Sequence, residues 1–394
     1  KIGKGTGKYA AKYRKHATEE MNHCRDAIPV WIMPIQRVIE NIELSSQLFD
    51  VVIVDESSQS NLFSLSALLR AKKAVIVGDD NQISPETVGL DRSRNHELIR
   101  QYLKDIPQAD QLELSTSLYD VASRIFTNSK VILKEHFRCV PEIIQFSNDL
   151  LYGGKMDPLR LPYADEIFNP AVSAVYVQEG YRKESTKVLN EPEAEKLVEC
   201  IVNCCKDEKY IGKTMGVISL QGYDQAQLIE NMLREKLGEA EMIKRKIACG
   251  DAYRFQGDER DIIFLSMVAA NNMKFASLTK ESDRRRFNVA ASRARDQMLL
   301  FHSIQLGDLN TQCMRYQLLQ YCQYPKRIQR EIQEVGHLFE SVFEKEVYRL
   351  ITARGYRVTP QVQVGSVGKR IDLVVEGMHS RLAIECDGDR WHGL

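Results

Sequence analysis

No run of apolar residues in this 394-residue chain reaches the ~18 that a membrane-crossing helix needs, and no signal-peptide pattern opens it. Nine cysteines are scattered with no CxxC pair. Cys200, Cys204 and Cys205 share one helical stretch and read as core fillers rather than metal ligands. This usage fits a reducing, cytoplasmic setting. Charge of one sign is also missing: Lys+Arg and Asp+Glu both number 54. The whole-chain balance therefore gives no hint of nucleic acid, although a local basic track can sit inside a neutral whole. There is no low-complexity tract and no short-period repeat. The first residue is not Met, and the last four, Trp391-His392-Gly393-Leu394, fall inside what reads as a motif. The expectation is a fragment of a longer protein.

With 43% hydrophobic and 27% charged residues, roughly two or three domains can each bury a core. Phe49-Asp50-Val51-Val52-Ile53-Val54 reads as a strand buried on both faces, as in a parallel sheet under helices. It delivers Asp55-Glu56 to the carboxyl edge, where open α/β sheets bind ligands. Two adjacent acids there suit a cation and an attacking water; a solvated acidic turn is the alternative. A helix over 61–70 follows, then a strand over 74–77 running into Gly78-Asp79-Asp80-Asn81-Gln82. Residues 90–128 read as polar and helix-rich. Val131-Ile132-Leu133 reads as a strand before Glu135-His136-Phe137-Arg138, with a helix on to 151.

Gly153, Gly154, Pro158, Pro162 and Pro170 mark the domain boundary. Beyond it, expected strands at 173–178, 215–220, 261–268 and 297–303 alternate with helices at 191–207, 224–238 and 282–295, a second parallel-sheet domain. Two phosphate-loop look-alikes fail. Gly3 to Lys8 has the wrong spacing and Tyr9 after its Lys, and reads as a basic surface segment. Gly212-Lys213-Thr214 precedes a strand, the wrong context.

In this order the pieces resemble a superfamily 1 helicase. Asp55-Glu56-Ser57-Ser58-Gln59 is similar to the DExxQ element, and Gly78-Asp79-Asp80-Asn81-Gln82 to GDxxQ. Glu135 to Arg138 stands where the family has Tyr/Phe-Arg before a helix. Asp251 with Phe255-Gln256-Gly257-Asp258-Glu259 is similar to the FQGxE loop, and residues 286–295 to the RxNVAxSRAR helix. The resemblance implies two RecA-like α/β domains, ATP and Mg²⁺. By it, Asp55 holds Mg²⁺ through water, Glu56 polarises the attacking water, and Gln82 senses the γ-phosphate. Arg138 and Arg293 meet the transferred phosphoryl group, for which an arginine fork is suited; a helix-surface ion pair is the plain reading of Arg293. Gln59, Asp79, Gln256, Gly257, Glu259 and Arg295 join the nucleotide-binding set, with Glu259 toward ribose. The strand-gripping Thr-Pro-Tyr is absent around 215–225. The Walker lysine is expected upstream of Lys1, so this stretch alone is expected to hydrolyse almost no ATP.

Residues 336–394 form a further unit: a helix to 354 carrying Glu344, and strands near 356–364, 370–375 and 381–386. Asp372, with Glu385 about a dozen residues later on the neighbouring strand, makes a workable Mg²⁺ pair; an acidic strand-turn is the alternative. The segment resembles a PD-(D/E)xK nuclease of the very-short-patch-repair kind, truncated. Asp387 replaces the pattern's Lys, leaving His392 or a later residue as the catalytic partner.

The expected organisation is a remnant of the first motor domain (1–165), a second motor domain (166–308), a helical linker (309–335) and the α+β nuclease-like unit (336–394). The reading is an ATP-dependent DNA helicase or translocase coupled to an Mg²⁺-dependent endonuclease, in nucleic-acid processing or defence, with single-stranded or forked DNA as partner. An RNA helicase with a non-cleaving tail, or a nucleic-acid binding module without turnover, are the alternatives.

Overall fold

The chain divides into two units, Lys1–Val131 and Ile132–Leu394. The structure, a computed structural model, describes residues 9–24, 27–44, 48–83, 92–107, 109, 112, 116–160, 168–183, 187–325, 339, 341–352, 354, 356–364, 369–377 and 380–386. Asp387 and His392 lie outside the described residues, as do both glycines of the rejected N-terminal loop.

The first unit contains helices α1 (Ala10–His23), α2 (Ile35–Asn41), α3 (Leu65–Leu68), α4 (Arg92–Tyr102) and α5 (Leu118–Ile125). Its strands β1 (Phe49–Val54) and β2 (Ala71–Ile76) pair in parallel, from Phe49 opposite Ala71 to Val54 opposite Ile76. Burial on both faces is not found. Val54 is buried, but Val51 and Ile53 are 47% and 66% exposed. Burying such a strand takes neighbours on both edges and layers on both faces, and among the described residues β1 pairs with β2 alone. Buried Arg70 ties α2 to α3, donating to the carbonyls of Ile42, Ser66 and Ile39. Ser117 and Asp120 form a capping box that starts α5, satisfying backbone N–H groups the first turn leaves free.

The second unit begins with β3 (Glu135–His136), α6 (Pro141–Leu151) and β4 (Asp157–Pro158), β3 and β4 being parallel. The expected strand at 131–133 is extended chain without sheet partners, its apolar side chains exposed; β3 forms only after it. Residues 132–160, expected with the first domain, bond instead to the second: Val140 N–H donates to the Arg295 carbonyl and Tyr321 Oη to that of Glu142.

The main sheet comprises β5 (Val172–Tyr176), β6 (Met215–Ser219), β7 (Ala248–Asp251), β8 (Arg260–Ala270) and β9 (Ala294–Ser303), all parallel, in the order β5-β9-β8-β6-β7. Strand β7 was not expected. It has four residues, two of them Cys249 and Gly250, too short for a pattern. The sheet is flanked by α7 (Glu191–Lys206), α8 (Asp224–Lys244), α9 (Glu281–Ala291) and α10 (Met314–Gln323). Leu197, Ile201, Ile229 and Leu233 from the helices close on Val217, Ile262, Phe264 and Phe301 from the strands, each such side chain contributing about 1.5–3 kcal/mol by leaving water. The helix expected over 282–295 stops at Ala291, so Arg293 lies in the turn and Arg295 is already in β9.

A polar knot fixes the carboxyl half of β8. Glu193 on α7 is fully buried; its Oε1 accepts from Ser266 Oγ (2.6 Å) and Val268 N–H (2.8 Å), and its Oε2 from Ser303 Oγ (3.0 Å). Val268 has φ +65°, a strained value for a β-branched residue, where the β8–β9 register shifts. Beyond the masked stretch, α11 (Val342–Thr352) packs on an antiparallel sheet of β10 (Arg357–Val364), β11 (Lys369–Glu376) and β12 (Arg381–Ile384) around Tyr348, Val358, Leu373 and Val375. No described helix is long and apolar enough to cross a membrane.

Candidate functional site

Parallel pairing of β1 and β2 brings two turns side by side. Ser57 N–H donates to the Val77 carbonyl at 2.9 Å, and Asp79 N–H donates to Ser58 Oγ at 3.4 Å. Buried Ser57 and Ser58 thus bind the acidic turn to the next strand's turn. Asp55 Oδ1 accepts the Glu56 N–H, and Gln59 Nε2 donates to Glu56 Oε2, both at 2.9 Å. Glu56 has φ +49°, the left-handed region that costs a non-glycine residue energy and is frequent at ligand sites. Asp55, Glu56 and Gln59 are exposed. In the second turn, Asp79 accepts from Asn81 N–H (2.9 Å) and Gln82 Nε2 (3.2 Å). A Cβ on Gly78 would stand 2.7 Å from the Tyr119 ring and 2.9 Å from Ser57 Oγ, so only glycine lets α5 seal this pair of turns. The oxygens of Asp55 and Glu56 suit a hard divalent cation and its waters.

A second set lies at the amino ends of β8 and β9. Arg138 Nε is 2.8 Å from Glu259 Oε2; Arg295 stands 3.9 Å from both Glu259 Oε1 and Asp261 Oδ1. Arg138 and Arg295 are 38% and 44% exposed on their side chains. Arg293 is not: at 3% exposure, it donates to the Val289 carbonyl and Ser292 Oγ, so the surface ion-pair reading fails. Gly257, at φ +79°, turns the loop that carries Gln256 and Glu259, and Phe255 plugs it into the core at 1% exposure. His136 belongs here too. Burial, reinforced by the positive charges of Arg138 and Arg293, lowers its pKa to about 4, and its neutral Nε2 accepts the Cys139 N–H at 3.0 Å. The rejected Gly212-Lys213-Thr214 is occupied otherwise: Lys213 pairs with Asp296 at 3.0 Å, and Thr214 donates twice to Asp261 Oδ2.

In the tail, register sets Asp372 opposite Gln361 on one side and Glu385 on the other, since Pro360 faces Leu373, Val362 faces Ile371, and Leu373 faces Ile384. Asp372 Oδ2 accepts the Cys386 N–H at 2.7 Å. Gln361 Nε2 donates to Glu344 Oε2 (3.1 Å) and Asp372 Oδ1 (3.4 Å), while its Oε1 is buried with no partner. Glu385 is exposed. Gln361 was not singled out from sequence; its only signal is cross-strand register, which one chain does not spell. Among the described residues, no three His, Cys, Asp or Glu side chains are grouped to hold a metal ion. The oxygens that do converge are of the type Mg²⁺ takes.

Known families match along the same lines. AAA domain models match residues 36–88 and 114–304, and a model named REase_MTES_1575 matches 343–394. Helicase sen1 of Schizosaccharomyces pombe is 27% identical over 66% of this chain and 15% of its own length. The ATP-dependent helicase MG140 of Mycoplasma genitalium is 28% identical over 72% of this chain and 25% of its own. The DNA replication ATP-dependent helicase/nuclease dna2 of S. pombe is 24% identical over 65% and 18%. The chain thus spans a quarter or less of these relatives. These matches support a superfamily 1 helicase core. The restriction-endonuclease character of the tail rests on the short match at 343–394.

Proposed function

We propose that the chain carries nucleotide and strand-binding parts of an ATP-driven DNA helicase or translocase, joined to an Mg²⁺-dependent nuclease unit. The observation that carries the motor reading is the bonded pair of turns at the carboxyl ends of β1 and β2, with Asp55 and Glu56 exposed beside Asp79 and Gln82. Domain limits follow the sequence reading: a first motor part, a second at 166–308, a linker at 309–335 and the nuclease-like 336–394.

In the first turn Asp55 would hold Mg²⁺ through water. Glu56, fixed by Gln59, takes the proton of the attacking water. Gln82, anchored on Asp79, reports the γ-phosphate. The bound Mg²⁺ supplies charge neutralisation on the phosphate oxygens. In the second motor part Arg138 and Arg295 are the exposed guanidiniums for developing phosphate charge, parked on Glu259 and Asp261; Arg293 would act from the turn after α9. Gln256, Gly257 and Glu259 face the nucleoside side. In the tail, Asp372, Glu385 and Asp387 would hold Mg²⁺ for phosphodiester cleavage.

The test is ATP hydrolysis by the intact protein with and without single-stranded DNA or RNA. Stimulation by DNA is expected, and Glu56→Gln should lower turnover about 10²–10⁴-fold, the worth of a positioned general base. Turnover unchanged by that substitution sinks the motor reading; stimulation by RNA alone sinks the DNA assignment.

A further inference from the structure

At the carboxyl edge of the second sheet, away from Glu259 and Arg295, lies a cationic cluster that the nucleotide chemistry does not use. Arg315, on α10, is 2% exposed. Its Nη1 donates to the Ala276 carbonyl (3.1 Å), its Nη2 to Gln221 Oε1 (2.8 Å), and its guanidinium covers the Phe275 ring at 5.3 Å. No carboxylate among the described residues pairs with it. Burial lowers its pKa; Cys313 opposes that, while Arg286 and Arg182 push it the same way. Arg182 is held by its backbone, which exchanges hydrogen bonds with the Asn272 side chain at 2.9 and 2.7 Å. Arg286 pairs with Asp283 at 3.1 Å. Asp308 accepts from Asn271 and the Gln305 N–H. Three guanidiniums therefore face one paired carboxylate, and the Nε atoms of Arg182, Arg286 and Arg315 are buried without an acceptor.

A buried charge without a counterion is costly, and three like charges compound it. The loops that carry the cluster follow β5, β6 and β8, the edge at which open α/β sheets take ligands. We propose that Arg182, Arg286 and Arg315, with Gln221, form a subsite for a phosphodiester of the bound nucleic-acid strand. Partly exposed Arg182 and Arg286 make the contact; Arg315 supplies field and fixes Gln221 and the 275–276 loop. The subsite rests on the nucleic-acid reading above and adds where the second motor part grips.

The experiment follows binding of a fluorescein-labelled oligo-dT to the intact protein by anisotropy across a salt series. Neutralising one single-strand phosphate contact should reduce the slope of log K against log salt by about 0.7. Arg182→Gln is expected to lose that amount, Arg182→Lys to keep most of it, and Lys196→Gln, on α7 and paired with Glu199, to change nothing. Binding by the wild type with an unaltered Arg182→Gln slope overturns this subsite alone. Failure of the wild type to bind overturns the nucleic-acid reading as well. Displacement of the oligonucleotide by ATP in the wild type, with ATP binding lost in Arg182→Gln, assigns the cluster to nucleotide and overturns the proposal.

Discussion

Arg138 Nε and Glu259 Oε2 meet at 2.8 Å, across a gap of 121 residues in the chain, with both side chains about two-fifths exposed. An ion pair so hydrated is worth at most about 1 kcal/mol, so its place is not explained by stability. It holds a guanidinium at the amino edge of β8 in a form that a phosphate can take over. Arg138→Ala should therefore leave the unfolding midpoint almost unmoved while lowering ATP turnover of the intact protein about 10³-fold, the lower range for an arginine that stabilises phosphoryl transfer. Parallel melting curves and steady-state turnover check this. A large loss of stability with turnover retained would make the pair structural.

Gly78 offers a second test because its reason is steric. Any Cβ there meets the Tyr119 ring at 2.7 Å. Overpacking of that kind costs about 1–3 kcal/mol, and the turn carrying Asp79 and Gln82 would have to shift. Gly78→Val should lower the thermal midpoint of the first unit and reduce turnover together; Tyr119→Ala in the same chain should recover part of both. Absence of recovery would mean that the clash is not with Tyr119.

The alternating pattern in 172–303 was legible because strands buried on both faces spell continuous apolar runs and the helices between them keep their period. The motif residues were legible because their chemistry is local: two acids after a strand, Gln-Gly-Asp-Glu in a turn. What was not legible depends on partners. Val131-Ile132-Leu133 has strand composition but no neighbour to pair with. Residues 132–160 bond to β9, which lies far along the sequence. The burial of Arg293 follows from α9 ending one turn earlier than its periodicity suggests. Gln361 becomes a site residue only once β10 and β11 are in register.

Glu193 makes a pH prediction whose direction is fixed. Burial raises its pKa from 4.5 to about 7, against the hydrogen bonds from Ser266, Val268 and Ser303 that pull it down. Between these values the unfolded chain releases the proton while the folded one keeps it, so folding takes up a proton. Its contribution is complete below pH 4.5 and is lost as pH rises to about 7, by something of order 3 kcal/mol. His136, with its pKa lowered to about 4, slopes oppositely between pH 4 and 6.5, so the readout is a difference. Denaturation of wild type minus Glu193→Gln at pH 5 and pH 7.5 should show the wild type losing its advantage at the higher pH. Glu193→Ala, which strips the acceptor from the strained Val268 N–H, should cost about 1–3 kcal/mol or more at both. A pH-independent difference would place the carboxylate in one ionisation state throughout.

The tail separates catalysis from positioning. Asp372 stands between Gln361 and Glu385 by register, and its two oxygens are already spoken for by the Cys386 N–H and the Gln361 amide. If it holds Mg²⁺ for strand cleavage, Asp372→Ala should abolish Mg²⁺-dependent nicking of plasmid DNA by the intact protein while ATP turnover survives. Gln361 donates to both Glu344 and Asp372 and would touch neither water nor phosphate. Gln361→Ala leaves buried Glu344 without that donor, and should raise the Mg²⁺ concentration needed for half-maximal nicking by about 10–100-fold, the usual worth of a residue that orients a metal ligand. Saturating Mg²⁺ should then restore most of the rate to Gln361→Ala and none to Asp372→Ala. Nicking that persists unchanged in Asp372→Ala removes the nuclease assignment, and the buried Glu344–Gln361–Asp372 contacts would then serve only to pin α11 to its sheet.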